Sequence, residues 1–233
     1  MARITRKELK SDRFALEVEH TVTFFEHHQK ELVRYGAIAI AAILLMVGYM
    51  IYARHQHAAR EEALAKAIAI QEAPVGAPNP GSNLNFPTQD AKDQVAVKAF
   101  AGLSSLYPGT EEGYIADYYL ASITADQGKL AEAETRFKSV ADKADARYSS
   151  LAKLSLAQLY FGDGRPDQAE SVLRDLMAHP TVYVSHDQAA LTLARYLGQK
   201  KPAEARKLLE PLRSKPGVVG QNALGILGEL PAQ

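Results

Sequence analysis

Cysteine and tryptophan are both missing from the 233 residues. Without cysteine there can be no disulfide, no thiolate nucleophile and no Cys-ligated zinc or iron–sulfur centre. The compartment stays open, because an exported helical domain with sufficient core needs no covalent staple. A surplus of either charge is missing too: 27 Lys+Arg balance 27 Asp+Glu. No bulk positive field therefore draws the chain towards nucleic acid. Catalytic signatures are equally scarce, with no GxSxG, phosphate loop, HExxH or EF-hand spacing anywhere. The expectation is a protein without chemistry of its own, taking no cofactor, no metal and no small-molecule substrate.

The histidines and paired acids, the side chains most able to build a site, fit the same expectation. His27 and His28 precede an apolar run, and His55 and His57 follow it. Residues two apart on a helix point about 200° away from each other, so His55 and His57 do not clamp one ion and read as solvated. His179 and His186 read as surface side chains. Glu61-Glu62 and Glu111-Glu112 are adjacent rather than stacked, and Glu111 follows Thr110 into a helix start, where negative charge suits the dipole.

What the chain does have is one long hydrophobic run. Tyr35 to Ala53 is uncharged and bounded by Arg34 and Arg54. As a helix it spans roughly 28 Å, close to the hydrocarbon thickness of a bilayer. Tyr35, Tyr49 and Tyr52 lie towards its ends, at headgroup level. The polar residues ahead of it fit a signal anchor better than a cleavable signal peptide. Residues 1–13 carry Arg3, Arg6, Lys7, Lys10 and Arg13 against Glu8 and Asp12, favouring a cytoplasmic N-terminus, although the bias vanishes immediately beside the run. Thr5 to Glu8 reads as a capping box opening an amphipathic arm with Phe14, Val18, Val22 and Phe25 on one stripe. The segments expected are an arm (1–34), a membrane helix (35–53), a post-membrane helix (54–72), a Pro/Gly-rich loop (73–90) and a repeat domain (91–233).

The repeat emerges on sliding the chain along itself by 36 residues. Tyr160 falls on Tyr196, Gly162 on Gly198, Pro166 on Pro202, Ala169 on Ala205, Leu173 on Leu209, Leu176 on Leu212 and Pro180 on Pro216. One step back, Ala133, Gly128, Phe137 and Val140 fall behind Ala169, Gly164, Leu173 and Leu176. Each unit reads as helix A, tight turn, helix B. In the second unit, residues 150–161 are expected as helix A and Pro166 opens helix B at a position where a missing N–H costs nothing. Ser185 to Gln188 forms a capping box for the next helix A. Ala133, Ala169 and Ala205 mark close helix approach, and Phe137, Leu173 and Leu209 fill space between units. A half unit around Ala96, Phe100 and Leu103 borrows the post-membrane helix as its helix A, and residues 217–233 supply a capping helix, since an open end exposes apolar surface.

This pattern resembles the tetratricopeptide repeat. Ala121, Ala157, Gly128, Gly164, Ala133, Ala169, Ala205, Phe137, Pro180 and Pro216 occupy its signature places. The departures are the 36-residue period, Leu193 for a small residue, Lys200 for the turn glycine, and Pro211, expected to kink the last helix B. The fold class expected is therefore all-α: one transmembrane helix and an α-solenoid of three to four helical hairpins. The resemblance places a partner-binding groove on the A helices, at Ile115, Tyr118, Ser122, Leu151, Leu154, Gln158, Phe161, Asp187, Ala190, Ala194 and Leu197. That surface is mostly apolar and suits an extended or helical segment with hydrophobic side chains. It lacks the lysine and asparagine that grip a C-terminal carboxylate.

The arm containing VEHTVTFFEHHQKELVRYG, the anchor, the following helix RHQHAAREEALAKAIAIQEA and the repeats together resemble the YfgM family, an ancillary subunit of the SecYEG translocon. The resemblance implies a bacterial inner membrane, a periplasmic repeat domain, and translocon subunits, periplasmic chaperones and emerging polypeptides as partners. A scaffold for another envelope complex, in secretion, cell division or cytochrome maturation, is the alternative.

Overall fold

A computed structural model describes residues 6–76 and 84–231, with backbone alone at residues 6–29 and 32. Thr5 of the N-terminal capping box and the side chains of Phe14, Val18, Val22 and Phe25 lie outside the described residues. Two compact units divide between Ala58 and Ala59.

The first unit consists of the leading part of α1 (Arg6–Glu72). Its apolar stretch is the only helix among the described residues long and apolar enough to cross a membrane, with a mean hydropathy of 2.2 and none of that window buried. Isoleucine, leucine and tyrosine side chains stand exposed on every side, with Leu45 at 76% and Tyr49 at 71%. Such a surface is stable in lipid and costly in water.

The second unit stacks the end of α1 with α2 (Gln89–Leu106), α3 (Glu111–Asp126), α4 (Leu130–Lys143), α5 (Ala146–Gly162), α6 (Pro166–Ala178), α7 (His186–Leu197), α8 (Pro202–Leu209) and α9 (Val218–Glu229). Consecutive helices from α2 to α9 pack as antiparallel-style neighbours, and α3 also touches α5, as α7 touches α9. One hairpin stacks on the next mainly through its B helix and the following A helix, α4 on α5 and α6 on α7, with the α3–α5 contact added at the first of these junctions. Leu64 and Ala67 of α1 share a core with Ala96, Phe100, Leu103, Ile115 and Leu120, so the end of α1 serves as helix A for α2. A second core runs from Ala121 to Ile226. At its hairpin crossings Ala133, Ala169 and Ala205 are wholly buried, and Phe137, Leu173 and Leu209 are at most 2% exposed.

Local chemistry sets the helix boundaries. Thr110 and Ser185 cap α3 and α7 by accepting from the amides of Gly113 and Gln188, at 3.2 and 3.1 Å. α5 begins at Ala146, earlier than the apolar pattern suggests, because Asp145 caps it through the Tyr148 amide. Gly128 and Gly164 adopt φ of 76° and 72° in the A–B turns, and the Lys129 and Arg165 amides close back onto the Thr124 and Tyr160 carbonyls. The third turn has Lys200 at that place, and a side chain disfavours left-handed φ. Here the helix winds up instead, with the amides of Lys200 and Lys201 both donating to the Leu197 carbonyl. Pro211 corrects a sequence expectation: it does not kink a helix, because α8 has already ended at Leu209. The loop after α1 is clasped at its base by a parallel bridge between Val75 and Phe86.

Candidate functional site

The A helices α3, α5 and α7 carry the residues expected to line a groove, and the structure divides them into two groups. Tyr118, Ser122, Leu151, Phe161 and Asp187 are half-buried and Gln158 is exposed. Ile115, Leu154, Ala190, Ala194 and Leu197 are core residues instead, none more than 8% exposed. The reason is wrapping: α3 is covered by α2, α4 and α5, α5 by α4, α6 and α3, and α7 by α6, α8 and α9. Burial thus removes Ile115, Leu154, Ala190, Ala194 and Leu197 from any open surface.

The accessible members are held in place by aromatic contacts. Tyr118 meets Phe137, Tyr119 and Tyr148 edge to face, at centroid distances of 5.8, 5.8 and 5.9 Å. Tyr148 in turn meets Tyr183 at 5.6 Å, and Phe100 stacks on Tyr119 at 4.8 Å. Aromatic rings therefore link α2, α3, α4, α5 and the loop before α7. Burial pushes the Tyr148 hydroxyl up to about 12, so it stays a neutral donor at any physiological pH. Phe161 stacks face to face on Tyr196 at 3.6 Å, bridging α5 and α7. The Ser122 hydroxyl donates to the Tyr118 carbonyl, and Asp187 receives Lys215 at 2.6 Å. The resulting surface is a run of rings and aliphatic side chains with amide and hydroxyl groups between them. Its chemistry is that of apolar and hydrogen-bonding contact, and among the described residues these side chains place no nucleophile beside a base.

Three sets of partners are ones that the sequence patterns above do not name. Glu134 on α4 takes a two-pronged bond from Arg165, at 3.1 and 2.6 Å, and a third from Lys138 at 2.7 Å. One repeat later Glu170 on α6 receives Lys201 at 3.0 Å and Arg174 at 2.7 Å. Arg165 also lies over the Tyr160 ring, 4.4 Å from its centroid. Glu112, only 4% exposed, receives the Arg60 Nε at 3.0 Å and so ties the end of α1 to the first turn of α3. The first two sets carry a signal in the chain: Glu134 and Glu170, Lys138 and Arg174, Arg165 and Lys201 are each 36 residues apart. The third follows no period.

Comparison with known families accords with this architecture. A family model described as a tetratricopeptide repeat-like domain matches residues 23–210. The chain belongs to that family. No curated protein and no solved structure matches it. Tetratricopeptide repeat-like domains are typically protein–protein interaction scaffolds without enzymatic activity, and the match begins within α1, ahead of the apolar stretch, so the family includes the anchor-like helix as well as the hairpins.

Proposed function

We propose that this chain is a membrane-tethered adaptor that works beside the Sec translocon and hands emerging polypeptides to periplasmic chaperones. The observation that carries the reading is the union, in one chain, of a fully exposed apolar helix with a tetratricopeptide repeat-like domain. A tether fixes the domain within a short distance of the membrane and raises its effective concentration there. The similarity to the YfgM family supports the translocon as neighbour, an N-terminus in the cytoplasm and the repeats in the periplasm. Tyr118, Leu151, Gln158 and Phe161 form the groove that receives a hydrophobic segment, with the rings supplying contact area at low entropy cost.

Photocrosslinkers placed at Tyr118 and Phe161 test the reading in intact cells. Adducts to translocon subunits, to a periplasmic chaperone or to nascent exported chains support it. Stoichiometric adducts to a different envelope complex, with none to nascent chains, replace it with an assembly scaffold.

A further inference from the structure

α7 presents Gln188, Thr192 and Arg195 on one face, at spacings of four and three residues, and they share a cleft with Val218, Val219 and Asn222 of α9. Leu191 adds a third aliphatic residue to the lining, and no aspartate or glutamate contributes to it. Other clefts of the repeat domain carry their own counter-ions. One joins Glu134 and Asp163 to Arg165, and another joins Asp117 to Arg136.

Arg195 is set apart by the same comparison. Arg60, Arg136, Arg147, Arg165, Arg174 and Arg213 each pair with a carboxylate, and Arg206 donates to the Pro231 carbonyl. Arg195 is exposed and has neither hydrogen bond nor ion pair among the described residues. The wall opposite it is built rigidly. Lys215, in the loop before α9, is anchored on Asp187 of α7 at 2.6 Å. Gly217 turns the chain with φ of 76°, and at Gly220 the loop passes so close that a Cβ would sit 2.1 Å from the Lys215 carbonyl oxygen.

We propose that this cleft binds an extended polypeptide segment in which an aspartate or glutamate side chain neighbours aliphatic residues. The carboxylate docks on Arg195, which offers a planar fork of donors. The aliphatic side chains lie on Leu191, Val218 and Val219, and the amide groups of Gln188 and Asn222 meet the segment's backbone. Charge complementarity selects this occupant: a cleft with one unpaired cation, aliphatic walls and no acid of its own favours a partner that brings the carboxylate. The inference rests on the reading of the repeats as a protein-binding adaptor, and adds to it a preference for acidic-aliphatic segments at the C-terminal end of the stack.

The test uses the full chain in nanodiscs and fluorescein-labelled, N-acetylated, C-amidated octapeptides of alternating valine and serine with a central Asp, Asn or Lys. Anisotropy is expected to show the Asp peptide bound about tenfold more tightly than the Asn peptide, with the Lys peptide weaker still. Arg195→Gln should bring the Asp peptide to the Asn level while leaving the Asn peptide unchanged, and raised salt should erase the difference. Equal binding of Asp and Asn peptides, or equal weakening of both by Arg195→Gln, overturns the carboxylate site and leaves the adaptor reading standing. Preference only for a control Asn octapeptide made with a free C-terminal carboxylate, over all the amidated ones, overturns the side-chain assignment. Photocrosslinks from Tyr118 and Phe161 judge the adaptor reading separately.

Discussion

Arg165 reaches from the turn before α6 to Glu134 on α4, two nitrogens to two oxygens, and Lys201 repeats the reach to Glu170 one unit later. In both cases the cation precedes the proline that opens helix B, and the acid sits one residue after the alanine at the hairpin crossing. The pairs are therefore clamps between consecutive hairpins, each braced by a second cation one helical turn along. Arg165→Ala should lower stability by about 1–2 kcal/mol, since it removes a charge-assisted bidentate bond on a part-buried acid. A double-mutant cycle with Glu134→Gln, read by thermal unfolding, should show coupling. Additive losses would mean that the two residues act independently.

The same clamps give the molecule an acid limit. Hydrogen bonds from Arg165 and then Lys138 hold the Glu134 carboxyl down at about 2, and Glu170, Asp175 and Asp187 are lowered by their own cationic partners. A carboxyl with a depressed folded pKa stabilises above its unfolded pKa and loses that contribution as pH falls through the folded one. The melting temperature should be level above about pH 5 and fall between about pH 5 and pH 2. Glu134 supplies on the order of 2 kcal/mol of this after solvent screening. Glu134→Gln should flatten the acid limb; an unchanged limb would assign it to other groups.

Ala169 has no exposed surface and sits where α5 and α6 cross. Ala169→Trp should lower the melting temperature of the full chain by overpacking, at about 1–3 kcal/mol or more. An unaltered transition would place the hairpin crossing elsewhere.

Arg60 and Glu112 bind the end of α1 to the hairpin stack. Arg60→Ala should destabilise by about 1.5–3 kcal/mol, because it removes a charge-assisted hydrogen bond to a carboxylate that is only 4% exposed. Limited proteolysis should then cut first near residues 59–72. Protection equal to the parent chain would show that apolar contacts alone dock that segment.

Leu45 is exposed in the middle of the apolar stretch. Leu45→Arg should reduce membrane integration, at about 2.5–3.5 kcal/mol for a charge at the centre of a span. Carbonate extraction of cell membranes reads the result, and equal retention of both forms would argue against a span at 35–53.

Much of this fold is encoded in local patterns. The uncharged run from Tyr35 to Ala53, the 36-residue recurrence, and the caps at Thr110 and Ser185 each depend on a few neighbouring residues, so the sequence by itself determined helix class, repeat phase and the anchor-like helix. Periodicity names the apolar face of a helix, but not what will cover it. The tertiary structure alone decided that Ala190, Ala194 and Leu197 are core while Gln158 is open, because α9 and the B helices supply the cover. It alone decided that Glu112 is buried against Arg60, 52 residues away, and that Arg195 is left unpaired beside Val218. The burial of a side chain and the partner of a charge are properties of what the stack brings alongside, and pairings that follow no period leave no signal in a single chain.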